Sequence, residues 1–489
     1  MTYNLTPIKT IPAIIAIAIT LLIWFIIPAP EGVSINAWQL LALFVGTIAA
    51  IIGKALPIGA ISIVAIALVA LTGVTNPGNS KAALADSLSG FSNDLIWLIG
   101  ISVMISISLN KTGLGSRIGY FLISLVGKKT IGIAYALGFS ETILAPVTPS
   151  NTARGGGIIH PVMRSIAESF DSNPEQESSK KIGKYLALVN YNINPITSAM
   201  FITATAPNPL IVSLVFEGSG FKITWGMWAL AALVPALCSL FIIPLVIYYL
   251  YPPQIKKTPD APQFAKEKLK NLGAISLPEK ITMGVFTILL LLWAGIPGLL
   301  FGEMYEVPPT VAAFIGLAIL LITGVISWND VLSNKGSWDT IVWFAALVMM
   351  AGFLGKLGLV SWLAQTVGTG IDSLGVHWVI GITLLLLIYV YSHYFFASTT
   401  AHITAMFGAF YIAGIALKAP PMLWAFILAF ASSIMMSITH YGTGTAPIIF
   451  GSGYTTLGEW WKTGFVTSVV NLVIWIFIGS LWWKFLGYW

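Results

Sequence analysis

Apolar runs long enough to cross a bilayer alternate with short polar breaks along almost the whole chain. A transmembrane helix needs about 20 mostly apolar residues. On that criterion the first half predicts spans at about 11–28, 37–53, 57–74, 94–111, 182–216 and 225–251. The second half predicts 281–301, 308–326, 339–356, 420–458 and 464–486, which brings the expected total to eleven. A polar loop is expected before Asp94, and residues 116–127 are expected along the interface, with Arg117, Lys128 and Lys129 at water. Two apolar segments are broken in the middle. Arms 130–149 and 153–168 meet at a polar knot, and 377–417 holds a second one. An uninterrupted part of an arm falls short of the roughly 30 Å hydrocarbon core, so each pair is read as a re-entrant hairpin. Spans 182–216 and 420–458 are themselves interrupted, at 203–209 and 439–447.

The two halves repeat. Ser150, Thr152, Ala153 and Arg154 map to Ser398, Thr400, Ala401 and His402 at one offset of 248. Lys111-Thr112-Gly113-Leu114 echoes Lys356-Leu357-Gly358-Leu359 at offset 245, which also relates Asp94 to Asp339 and Ser116 to Ser361. Each repeat holds five crossings and a hairpin. Five is odd, so the repeats are expected to be inverted in the membrane. The hydrophilic stretch 252–280 is the expected linker. The expected organisation is scaffold at 1–128, transport part at 129–251, linker and second scaffold part at 252–376, and second transport part at 377–489.

Composition agrees with this reading. Of 489 residues 57% are hydrophobic and 9% charged, against about 25% charged in soluble domains. The expected class is an all-α integral membrane protein. The net charge of +6 does not point to nucleic acid, because the basic residues lie between spans. With the N-terminus inside, only Lys81, Lys222, Lys356, Lys418 and Lys484 fall outside, leaving the other 19 of the 24 Lys and Arg on the cytoplasmic side. That bias predicts eleven spans with a cytoplasmic N-terminus and an extracellular C-terminus, and the expected location is the plasma membrane. The first apolar run has no convincing cleavage site and is expected to be retained. The lone Cys238 offers neither a disulfide framework nor a Cys-based metal site.

Candidate chemistry concentrates at the breaks. Matching polar interruptions in the two halves of an apolar protein are a pointer to a transporter's binding site. Ser150-Asn151-Thr152 and Ser398-Thr399-Thr400 offer hydroxyls, an amide and the free N–H groups of helix N-termini. A helix N-terminus favours anions. Two facing tips would suit a molecule with a carboxylate at each end. Serine and threonine also cap helices, which competes as an explanation for either tripeptide alone. Pro207, Asn208, Gly442, Thr443 and Gly444 are expected to line the site from the broken helices. Ionisable groups inside a membrane are costly and usually functional, so Arg154, His402, His440 and Glu141 are candidates for charge compensation or coupling. For Glu141, pairing with Arg154 is the favoured role. His160, His377 and His393 are read as structural. No G-x-x-x-x-G-K-[ST] loop, nucleophile–base pair or metal-ligand spacing stands out. No cofactor or metal is expected, and an enzyme or channel is the weaker class of reading.

At these residues the sequence resembles the divalent anion/sodium symporter family. The features that carry the likeness are Ser150-Asn151-Thr152, Ser398-Thr399-Thr400, Thr205-Ala206-Pro207-Asn208 and Thr439-His440-Tyr441-Gly442-Thr443-Gly444. The run from Pro149 to Gly157 is similar to the branch of citrate/succinate antiporters and plastid 2-oxoglutarate/malate translocators. The resemblance covers essentially the full chain. It implies an inverted-repeat homodimer that works by an elevator-type motion. In sodium-coupled members the tripeptides and broken helices also form sodium sites. Here Thr399 stands where those members carry Asn. The resulting expectation is sodium-independent exchange of C4–C5 dicarboxylates, with built-in charge replacing bound sodium. The rival on the same fold is sodium- or proton-coupled symport of di- or tricarboxylates.

Overall fold

In the computed structural model, which describes residues 8–372 and 377–489, helix is found over every one of the eleven expected spans. Among the described residues nine helices, including three hairpin arms, are long and apolar enough to cross a membrane, and Thr10–Ile26, Ile58–Thr72, Leu114–Val126 and Pro309–Ile322 are shorter apolar helices. Among the described residues the only β-pairing is an isolated bridge between Lys129 and Lys257. The expected division at residue 376 lies outside the described residues.

The repeat is visible in how the halves exchange partners. Ile58–Thr72 packs on Lys335–Lys356, and its repeat mate Pro309–Ile322 packs on Asp94–Thr112. Two turns make the same point. Gly113 (φ 76°) and Gly358 (φ 84°) both end a span in the left-handed conformation, which only glycine adopts at little cost. Each turn releases the chain into an amphipathic helix, Leu114–Val126 in one half and Leu359–Asp372 in the other.

Two expectations need correcting, and a third gains detail. The stretch before Asp94 is not a loop: Ser80–Leu88 is helical, started by the Asn79 side chain accepting from the Ala82 N–H, and Ser89–Ser92 continues as a 3₁₀ turn. Arg117 does not simply face water. Its Nε lies 2.5 Å from Glu279 Oε1, and its guanidinium also donates to the carbonyls of Gly273 and Leu272. The linker carries its own helix, Ala261–Asn271, laid against Leu114–Val126. A polar segment with a buried edge of Ala261, Pro262 and Ala265 gains from docking what a free linker would forgo.

At Gly90 the chain comes so close to the Lys335–Lys356 helix that an added Cβ would sit 2.0 Å from the Ala345 carbonyl oxygen. The obstacle is backbone and cannot rotate away. Gly90→Ala is therefore expected to destabilise the protein by about 1–3 kcal/mol. Thermal unfolding in detergent checks this, and an unchanged midpoint would show the contact to be loose.

At the centre lie the two broken helices. Every residue of Gly183–Met200 except Lys184 is buried, and Pro421–Ile438 is 94% buried. The two pack on each other. Hydrogen bonds tie them to neighbours from the other half: Tyr191 donates its hydroxyl to the Met436 carbonyl, and Thr467 donates to Asn192 Oδ1 at 2.6 Å. Polar side chains in such helices act as glue, at about 0.6 kcal/mol per interhelical bond.

Candidate functional site

Both hairpins form as expected. The first runs through Thr130–Val147, turns at its tip, and returns through a π-helical Thr152–Ile159 into His160–Ser169. The second runs through Trp378–Phe395 and returns as Thr399–Ala416, with a π-helical turn at Ile403–Phe407. A wide turn just behind each tip is a feature common at functional sites. Ser150 accepts from the Ala153 N–H and Ser398 from the Ala401 N–H, at 3.1 and 3.3 Å. Both serines therefore do cap their arms.

The two tips line one cavity of about 430 Å³, within the usual range of about 300–1,000 Å³ for small-molecule sites. Of the expected residues Ser150, Asn151, Thr152, Ser398, Thr399, Thr400, Pro207, Thr443 and Gly444 reach it. Among the described residues no charged side chain lines it. Asn151 donates to Thr443 Oγ1 at 2.9 Å, and Thr399 donates to the Gly442 carbonyl at 3.1 Å, so each tip is pinned to the second helix break. The hydroxyls of Thr152 and Thr400 have no hydrogen-bond partner among the described residues, nor does that of Thr205, which also lines the cavity. The first N–H groups of each returning arm lack intrahelical acceptors.

Asn208 and Gly442 do not line the cavity. Asn208 instead donates its amide to the carbonyls of Ser198 and Phe201 at 2.8 and 2.9 Å, bridging the break in its own helix. Gly442 serves through its carbonyl, which takes Thr399 and also His393 Nε2 at 3.2 Å. His440 does not line the cavity either; its Nδ1 accepts from Trp461 Nε1 at 3.1 Å.

Arg154 and Glu141 sit behind the first tip, fully buried. The guanidinium donates to Glu141 Oε1 at 3.3 Å, to the carbonyls of Thr148 and Ala204 at 2.8 Å each, and to the hydroxyls of Thr197 and Ser198. Asn194 joins this network to the cavity: its amide donates to Glu141 Oε1 and to the Asn151 carbonyl, and its oxygen accepts from Asn151 Nδ2. Glu141 Oε2 has no partner among the described residues. His402, also out of the cavity, meets His393 Nδ1 to Nδ1 at 2.9 Å and stacks on Phe396 with ring centroids 4.4 Å apart. The sequence reading set His393 aside; nothing in a lone histidine signalled that it would link His402 to Gly442. It also left Thr205, Met436, Val103, Gly336 and Thr340 unassigned, although all line the cavity. Thr205 belonged to an evident break, whereas Gly336 and Thr340 lie on a span with no polar signature of a site.

A cavity at the meeting point of two hairpin tips and two broken helices, lined by hydroxyls and an amide inside a shell of apolar helices, defines a multi-pass membrane transporter rather than an enzyme. A family profile described as "Sodium:sulfate symporter transmembrane region" matches residues 8–489, and the chain belongs to this family, the divalent anion/sodium symporters. A Bacillus subtilis (strain 168) protein named "Putative malate transporter YflS" is 49% identical over 482 residues, covering 99% of this chain and 98% of the relative. Dicarboxylate transporter 1, chloroplastic, of Spinacia oleracea is 43% identical over 478 residues, covering 98% of this chain and 82% of its own. The solved Alcanivorax borkumensis YdaH transporter shares the fold, with a TM-score of 0.55 and 12% identity over 88% of this chain and 99% of that one.

Proposed function

We propose that this protein exchanges C4–C5 dicarboxylates such as 2-oxoglutarate, malate, succinate or fumarate across the plasma membrane, without sodium coupling. The names of the Bacillus and spinach relatives support the substrate class. The observation that carries the reading is the pair of unpartnered threonine hydroxyls, Thr152 and Thr400, on opposite tips of one uncharged cavity. Each tip takes one carboxylate, through its threonine hydroxyl and the free N–H groups at the start of the returning arm. Ser150, Asn151, Ser398 and Thr399 shape the tips, while Pro207, Thr443 and Gly444 form the walls. Asn208 and Gly442 act one step back, by holding the breaks.

Sodium independence rests on Arg154. A hard cation collects several convergent oxygens, and behind the first tip those oxygens come from Thr148, Ala204, Thr197, Ser198 and Glu141. The guanidinium already engages all five. At the second tip His393, paired with His402, donates to the Gly442 carbonyl that also takes Thr399, and so braces that tip without filling an oxygen cage. The transport parts, 129–251 and 377–489, move as an elevator against the scaffold of a homodimer, with the N-terminus cytoplasmic and the C-terminus extracellular.

Uptake of labelled succinate into proteoliposomes tests this. Uptake is expected to require internal dicarboxylate and to ignore sodium. Uptake that needs sodium or a pH gradient, but no internal substrate, would establish the symport rival, with Glu141 Oε2 as the group available for a proton. Thr152→Ala and Thr400→Ala should each weaken binding by about 1.5–3 kcal/mol, the worth of a hydrogen bond to a charged group. Unaltered affinity in both would remove the tips from the site.

A further inference from the structure

Two recesses adjoin the cavity, and both are lined by lysine. The first, of about 540 Å³, is lined by Lys9, Lys54 and the 55–58 turn, and meets the cavity at Ser398. The second, of about 700 Å³, holds Lys335 and Asp339 and meets the cavity at Gly336. Pro57 lines both recesses, so they form one vestibule around that turn.

Lys9, Lys54 and Lys335 are exposed and form no ion pair with any described residue. Asp339, the one carboxylate among the described residues that line the vestibule, accepts from the Gly59 N–H at the start of Ile58–Thr72. The vestibule is thus net positive, while the cavity it leads to is uncharged. Backbone geometry holds two of the lysines there. Lys54 occupies the left-handed position that ends Ile35–Ile52 (φ 53°), where glycine is the usual residue. The Lys9 N–H is bound to the Ala55 carbonyl at 3.0 Å.

We infer that Lys9, Lys54 and Lys335 form an electropositive funnel that gathers dianions on one side of the membrane and delivers them to the two tips. The inference rests on the dicarboxylate reading above. A charged cleft with low-dielectric walls raises the local concentration of its counter-ion, and does so less as salt rises. The three lysines lie on the side that the charge bias assigns to the cytoplasm, so the funnel favours capture from that side.

The test is succinate counterflow by the full chain reconstituted in known orientation, with the Lys9→Gln/Lys54→Gln/Lys335→Gln variant and the matching triple arginine variant. Substrate offered on the vestibule side should show KM raised about three- to tenfold by the glutamines, with its dependence on ionic strength flattened. KM from the opposite side should stay as in the unmutated protein, and arginine should restore the vestibule-side value. Unchanged KM and salt dependence on the vestibule side would overturn the funnel alone, as would an equal rise on both sides. Absence of succinate counterflow by the unmutated protein would instead overturn the dicarboxylate reading and this inference with it.

Discussion

Arg154→Ala is expected to abolish the proposed exchange and to destabilise the protein by about 3–5 kcal/mol, the cost of breaking a buried ion pair by removing one partner. The guanidinium ties together three pieces of chain: the carbonyl of Thr148 before the first tip, the carbonyl of Ala204 in the helix break, and the Glu141 carboxylate. Without it, Glu141 is left as an uncompensated carboxylate in a fully buried site. The second variant separates folding from function. Arg154→Ala combined with Glu141→Gln removes the stranded charge, so much of the stability should return while exchange stays lost. Detergent melting and succinate counterflow measure the two separately. A double variant that exchanges normally would show that the fixed cation has no part in transport.

Gly444→Ala should have the opposite profile, with little effect on stability and a large effect on transport. A Cβ at Gly444 would lie 2.5 Å from Thr152 Oγ1. The Thr152 side chain can rotate away, so the fold is spared. That rotation removes the hydroxyl proposed to hold a carboxylate, a loss of about 1.5–3 kcal/mol or roughly ten- to hundredfold in affinity. Because the effect passes through Thr152, Gly444→Ala should add almost nothing in a Thr152→Ala background. Additive losses in the double variant would show that Gly444 acts by another route.

Much of the fold was legible because a bilayer imposes one rule, that backbone polar groups be satisfied within helices. Apolar length therefore located the spans, and the offsets of 248 and 245 located the repeat. Where water replaces lipid as the neighbour, that rule lapses. Ser80–Leu88 and Ala261–Asn271 are helices in polar sequence, and their existence depends on caps and on docking against other elements.

The candidate site divides in the same way. Ser150-Asn151-Thr152 and Ser398-Thr399-Thr400 were evident as polar interruptions, and both reach the cavity. Arg154, His402, Asn208 and Gly442 were evident too, yet they lie behind its surface. Residue type announces that a buried polar group must find partners. It does not say whether those partners are substrate or protein.

The sequence by itself determined an all-helical, two-fold repeated membrane protein with a polar break at matching places in each half, because hydrophobic length and residue identity are local properties. Only the tertiary structure decided that the two breaks share one cavity, that Arg154 spends its donors on Glu141 and two carbonyls, and that Lys9, Lys54 and Lys335 gather at the mouth. Those facts depend on contacts between residues far apart in the chain, such as Asn151 with Thr443, which side-chain packing sets and no local pattern encodes.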